Sequence, residues 1–286
     1  NPAVRKNYAI ALQETGRARE AVDQWRQVLA ASPDDIAVLW RGLGGAELAA
    51  GEIDAAVSDL DRARRLAPGD EVTADQLARA LVAQGRSRLA AGDDRGAAAS
   101  ATRTAVLERA PPAALFDAAA LLARTGRRGE ADAVLARART AEPRVLEDAF
   151  RRARAAEHGP SKAEAIERYR DITALVPDDV PAWFSAGRAL FDAGRYAEAA
   201  EAYRHAAQDT TPELHDLLMY NAACADYRAG RYRDAAEKLY PLGQTADPVR
   251  ANAAAFGLAH RIRIATGRAP AALGDLEKPD AVFVGG

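Results

Sequence analysis

Glycine returns along this chain with a period near 34 residues, and that recurrence restricts the fold more than any other feature. Gly16, Gly51, Gly92, Gly126, Gly159, Gly194, Gly230 and Gly267 follow one another at intervals of 35, 41, 34, 33, 35, 36 and 37 residues. Prolines punctuate in parallel at Pro33, Pro68, Pro111, Pro143, Pro177, Pro212 and Pro248. A fixed period of this length marks a stack of like units, each of which buries its apolar face only against its neighbours. Such an arrangement has no single enclosed core. It suits a protein that works as a binding surface.

Each unit reads as two amphipathic helices joined at the glycine and followed by a proline-marked turn. In the clearest unit, Val180 to Glu213, the first helix is expected over Pro181 to Ala193 and the second over Tyr196 to Gln208. Gly194 falls where a helix C-terminus needs a left-handed residue, which glycine adopts without steric cost. Pro212 follows the second helix, which a proline cannot continue. Ala199, Tyr203 and Ala206 recur at i, i+4 and i+7, one face of a helix. Alanine makes up about a quarter of the residues, and it loses no side-chain entropy in a helix.

These residues resemble the tetratricopeptide repeat family, whose pattern places Trp, Leu, Gly and Tyr at positions 4, 7, 8 and 11, Ala at 20, an aromatic at 24, Ala at 27 and Pro at 32. Trp183, Gly187, Ala199, Tyr203 and Ala206 match it, as do Trp40, Leu43, Gly44, Ala56, Ala63 and Pro68. Shorter sets recur at Ala21, Trp25 and Pro33, at Ala131, Ala138 and Pro143, and at Ala165, Tyr169 and Pro177. The resemblance implies an all-α fold, a right-handed α-solenoid of antiparallel helix pairs. It divides the chain into seven repeats, 2–35, 37–70, 78–111, 112–145, 146–179, 180–213 and 216–249. Residues 250–276 read as a degenerate eighth repeat that caps the array, and 277–286 as an extended tail.

Three departures from the pattern carry expectations. Seven extra residues lie between Asp70 and Ala78, and Thr73-Ala74-Asp75-Gln76 has a capping-box pattern. The insertion should therefore lengthen the next helix at its start, with Thr73 as the cap. His158-Gly159-Pro160 replaces the usual turn, which should be less regular there. Gly42, Gly44 and Gly45 fall within one first helix, each at a cost of about 0.5–1 kcal/mol against alanine. Close helix packing accounts for one of them, at Gly44, and the helix should be locally weak.

The formal charge of −2 gives no reason to expect nucleic acid as a partner. Cys224 is the only cysteine, so an intramolecular disulfide and a thiolate zinc site are both excluded. No stretch approaches 18 uninterrupted apolar residues, so no transmembrane segment is expected. The chain opens on Asn1-Pro2, already inside a repeat, and reads as an excised or processed fragment. Its compartment, cytoplasmic or periplasmic, stays open.

Catalytic constellations are absent from the sequence. His158, His205, His215 and His260 are scattered, and no two stand at i+3 or i+4, the spacing that sets two metal ligands on one helical face. Cys224 has no neighbouring histidine to activate it, and Gly42-Leu43-Gly44-Gly45 lacks the strand that a phosphate loop requires. No enzyme activity, cofactor or metal is expected.

The resemblance does imply a ligand groove, lined by repeat positions 2, 5, 6, 9, 12 and 13 of the first helices. Position 9 carries Arg86, Arg154 and Arg188, and position 5 carries Phe116, Phe150, Phe184 and Tyr220. Asn221 stands at position 6, Phe191 and Tyr227 at position 12, and Arg228 at position 13. Guanidinium forks beside aromatic rings suit an acidic or carboxylate-bearing segment, because arginine binds carboxylate bidentately while rings supply apolar contact. The competing account is that the rings pack between helices and the arginines pair with nearby carboxylates. On the functional account the chain is a non-enzymatic scaffold for a protein or peptide ligand. Alternatives are a component of a bacterial envelope machine for exopolysaccharide secretion or pilus assembly, meeting an anionic polysaccharide, and an accessory domain of a larger enzyme such as a glycosyltransferase.

Overall fold

In a computed structural model of the chain, residues 2–32, 36–159, 161–208 and 210–243 are described. Every regular element among them is an α-helix, and there are fourteen. In order these are α1 (Pro2–Glu14), α2 (Ala18–Ala30), α3 (Ala37–Ala50), α4 (Ile53–Leu66), α5 (Glu71–Ala90), α6 (Asp94–Val106) and α7 (Pro112–Arg124). There follow α8 (Arg128–Ala141), α9 (Val145–Glu157), α10 (Lys162–Leu175), α11 (Val180–Asp192), α12 (Tyr196–Ala206), α13 (Pro212–Arg228) and α14 (Tyr232–Gly243). They gather into two compact units, Asn1–Asp148 and Ala149–Gly286, the division falling inside α9. In the first unit each helix from α1 to α8 packs on the next, and α1, α3, α5 and α7 also touch in succession. In the second, α10 to α14 pack consecutively. The expected capping helices and tail, 250–286, lie outside the described residues.

One small residue recurs at the same place in every second helix. Ala21, Ala56, Ala97, Ala131, Ala165, Ala199 and Ala235, all in the second helix, are no more than 1% exposed. With only a methyl group between them, the paired backbones approach closely, and the larger side chains interlock around that contact. The glycines of the first helices serve the same end. A Cβ at Gly44 would lie 2.6 Å from Leu60 Cγ, and one at Gly187 would lie 2.7 Å from Tyr203 Cε1. In the same helix a Cβ at Gly42 would meet Trp25 Cη2 at 2.5 Å, while one at Gly45 would meet only the amide end of Gln76, at 3.1 Å. Gly42 and Gly44 thus both answer to packing, where the sequence explained one, and the helix runs unbroken through all three glycines.

The glycine turns are built as expected at six places. Gly16, Gly51, Gly92, Gly126, Gly194 and Gly230 have φ between +76° and +81°. The residue after each donates its N–H back to the carbonyl five positions earlier, as Arg17 does to Leu12 at 2.8 Å and Arg195 to Leu190 at 2.9 Å. Gly159 is not among the left-handed glycines, and its N–H bonds the Ala156 carbonyl. The next residue in sequence is a proline, which has no N–H to close the longer bond. After three of the regular turns, an arginine at the helix boundary forks onto the glutamate three residues on. Arg127 reaches Glu130 at 2.6 Å twice, Arg195 reaches Glu198 at 2.7 Å twice, and Arg17 binds Glu20 in the same way. The carboxylate is held over the positive end of the helix, where it is also favoured by the backbone dipoles.

The insertion before residue 78 lengthens α5 to 20 residues, as expected, but the cap differs. Asp70 holds that place: its side chain accepts from the Val72 N–H at 3.3 Å and from the Thr73 hydroxyl at 2.5 Å, and Arg41 pairs with it at 2.6 Å. Thr73, fully buried, lies within the first turn. The competition goes to Asp70 because a charged acceptor at the helix start also answers the helix dipole and Arg41.

Candidate functional site

The residues that the repeat register brings onto the first helices divide into three groups by their surroundings. At position 5 the rings lean inward. Phe116 is 1% exposed and Tyr220 9%. Tyr220 therefore offers little exposed surface of its own. Phe184 and Phe150 are half-buried. Phe184 shows the cause, since its ring packs against Tyr203 of α12 with centroids 5.9 Å apart. The Phe184 ring thus turns toward the second helix of its own pair.

At position 9 two of the three arginines are engaged. Arg86, in the first unit, pairs with Asp117 of α7 at 3.4 Å. In the second unit Arg188 donates to both oxygens of Glu157, at 2.8 and 2.7 Å, and the Tyr169 hydroxyl donates to the same carboxylate at 2.5 Å. Burial by itself would raise Glu157, but the Tyr169 and Arg188 hydrogen bonds and the nearby charges outweigh it and hold the carboxyl below the usual range. Tyr169 is pushed up to about 12, first by burial and then by its bond to Glu157. Arg154 of α9 is exposed and has no carboxylate partner among the described residues.

Positions 12 and 13 gather at the turn. Phe191 meets Tyr196, the first residue of α12, edge to face at 5.1 Å, and Tyr227 meets Tyr232, the first residue of α14, in the same way at 5.2 Å. The Arg228 guanidinium lies 5.1 Å from the Tyr196 ring centre and 6.0 Å from that of Phe191, and it donates to the Tyr196 hydroxyl at 2.9 Å. Asn221 is half-buried on α13. The structure thus joins Phe191 to Arg228 and Arg188 to Glu157.

Sequence reasoning missed the partners on the second helices. Tyr196 and Tyr232 were signalled by two near-identical hexads, Phe191-Asp-Ala-Gly-Arg-Tyr196 and Tyr227-Arg-Ala-Gly-Arg-Tyr232. His205 stacks on Trp183 with centroids 4.5 Å apart. Asp226, whose side chain is fully buried, gathers Arg204 at 3.2 Å, Lys238 at 2.9 Å and Arg231. That cluster ties α12, α13 and α14 together. In the first unit the buried Glu47 accepts from Arg26 at 3.0 Å. Burial, then the Asp59 charge, pushes its carboxyl up to about 7 against the pull of Arg26. Among the described residues no group of three or more His, Cys, Asp or Glu is placed to hold a metal ion, and no helix is long and apolar enough to cross a membrane.

Residues 9–71 and 152–213 match the tetratricopeptide repeat family. Those two stretches carry tetratricopeptide repeats. Residues 234–286 are similar to a second family, the precorrin methyltransferase domain, over a segment that lies mostly outside the described residues. No curated protein matches the chain. Among solved structures it is similar to a tetratricopeptide repeat protein from Parabacteroides merdae, at 12% identity over 83% of this chain and 90% of that one, with a TM-score of 0.46. It is also similar to YrrB, described as a TPR protein with an unusual peptide-binding site, at 15% identity over 75% and 90% of the two chains and a TM-score of 0.35. The TPR2AB-domain:pHSP90 complex of yeast Sti1 matches at 17% identity over 91% and 93%, with a TM-score of 0.32. Tetratricopeptide repeats support protein–protein interaction in general.

Proposed function

We propose that the chain is a non-enzymatic scaffold whose second unit takes a segment of another protein, acidic in character, on its first helices. The observation that carries this reading is Arg154. It is exposed on α9 with no carboxylate among the described residues to neutralise it, and it shares that helix with the half-buried ring of Phe150. An unpaired guanidinium beside an apolar surface favours a partner that brings both a carboxylate and a hydrophobic side chain. Arg188 contributes less to such a site than its register implied, because both Glu157 oxygens already occupy it.

The test is a peptide array of varied charge and aromatic content, probed with the purified chain. Discrete acidic peptides should bind, binding should weaken as salt rises because the site is open to solvent, and Arg154→Glu should reduce it. If no peptide is retained, or if retention is indifferent to charge, the reading fails.

The likeness of residues 234–286 to a methyltransferase domain favours a second reading, an accessory array within a larger enzyme. Binding of a methyl donor by the purified chain, measured calorimetrically, would support it. No heat of binding would count against it.

A further inference from the structure

Four regular turns of the first unit close without an aromatic pair. The residues that follow their glycines are Arg17-Ala18, Glu52-Ile53, Asp93-Asp94 and Arg127-Arg128. Their backbone is nonetheless the same as at Gly194 and Gly230, with glycine left-handed and the next N–H bonded five residues back. Ring pairs are therefore not needed to make the turn. The two turns that carry them, Phe191–Tyr196 and Tyr227–Tyr232, are consecutive, and both present the rings to solvent in part, with Tyr232 63% exposed.

The two hexads differ inside the turn at one place, Asp192 against Arg228, and that difference sets the charge of the edge. Arg228 is exposed, spread against Tyr196 and Phe191, and held by a single hydrogen bond to a phenol. Three carboxylates of these helices are engaged elsewhere: Glu198 by Arg195 and Arg170, Asp226 by Arg204, Arg231 and Lys238, and Glu237 by Arg233. Stacking on a ring leaves the in-plane N–H groups of a guanidinium open, and these match the two oxygens of a carboxylate. The flanking rings give flat apolar area at small entropic cost.

We propose that Phe191, Tyr196, Tyr227, Arg228 and Tyr232 form a docking edge at the helix turns of the last two described pairs, which receives a carboxylate side chain of a partner protein together with an adjacent aromatic or aliphatic one. The inference rests on the reading of the chain as a scaffold for protein segments, and it places a contact at the turns rather than along the length of the first helices. Arg228 supplies the charge contact, Tyr196 and Phe191 fix its orientation, and Tyr232 is the outermost ring.

Immobilised ten-residue peptides that pair Asp, Asn or Lys with Phe, Leu or Ser test this directly, read with the full chain and its variants. The Asp-Phe and Asp-Leu peptides should be retained best. Arg228→Ala should weaken them about ten-fold or more, as loss of a charged hydrogen bond does, Arg228→Asp should shift preference to the Lys-Phe peptide, and Tyr232→Ala should weaken all aromatic peptides alike. Circular dichroism melts of the variants should match the parent, since both side chains are exposed. Retention that Arg228→Ala leaves unchanged while Arg154→Glu abolishes it would overturn the edge and leave the scaffold reading standing. Retention of none of these peptides, with an equally empty wider array, would sink both.

Discussion

Arg188 on α11 grips Glu157 on α9 through both carboxylate oxygens, at 2.8 and 2.7 Å, and Tyr169 on α10 closes the same carboxylate from the other side. One acidic side chain thus fastens three helices of the second unit. Glu157 titrates below its ordinary value of 4.5 when folded. A depressed carboxyl contributes stability that is present above the unfolded pKa and is lost as pH falls through the folded one. Melting followed from pH 7 to pH 3 should show that loss in the parent chain and a smaller one in Arg188→Ala. At pH 7 the substitution should destabilise by about 1 kcal/mol, the modest value being set by the half-exposed guanidinium.

Glu47 should show the opposite slope. Its folded carboxyl is raised to about 7, so its contribution is fully present below the unfolded value and declines as pH rises toward 7. Glu47→Gln should flatten the stability profile between pH 5 and pH 8. At pH 8 it should stabilise the chain by about 1–3 kcal/mol, because a buried carboxylate is no longer ionised beside Asp59. Urea denaturation at a series of pH values measures this.

Asp226 should tolerate no replacement. Its side chain is fully buried and balances Arg204, Arg231 and Lys238. Asp226→Asn keeps the shape and removes the charge, leaving three cations to repel one another, and should destabilise by about 3–5 kcal/mol. The double variant Asp226→Asn, Lys238→Met should recover part of that loss in denaturant melts.

The N-terminus of α5 distinguishes two caps. Asp70→Ala removes the acceptor for Val72 N–H, the Thr73 hydroxyl and Arg41, and should cost about 1–2 kcal/mol. Thr73→Val keeps the volume of a buried side chain and loses one hydrogen bond, about 1 kcal/mol. Amide exchange over the first turn of α5 should quicken in Asp70→Ala more than in Thr73→Val.

Two glycines of the α3–α4 pair should respond for different reasons. Gly44→Ala drives a methyl group to 2.6 Å from Leu60 Cγ, and overpacking of about 1–3 kcal/mol exceeds the gain of about 1 kcal/mol in helix propensity. Gly51→Ala meets nothing within 4 Å and should lose about 1–2 kcal/mol from its φ of +81° alone. Pairing Gly44→Ala with Leu60→Ala should relieve the first effect, and Leu60→Ala should not relieve the second.

The paired helices, the turn glycines and the buried alanines were determined by the sequence alone, because each rests on a local or strictly periodic requirement. Gly194 must be left-handed wherever its helix ends, and Ala199 must be small wherever two helices touch. The long start of α5 was legible on the same ground, although its cap was not: Thr73 and Asp70 are both sound N-cap residues, and Arg41, 29 residues away, favours Asp70. Only the tertiary structure decided which side chains are open to a partner. Register put Tyr220, Arg188 and Arg228 on one class of position. Packing then buried the first, an ion pair from another helix engaged the second, and ring contacts from the neighbouring helix pair oriented the third. Such pairings depend on distances between residues about 30 positions apart, which a repeat pattern holds nearly constant while leaving the chemistry at each end free to vary.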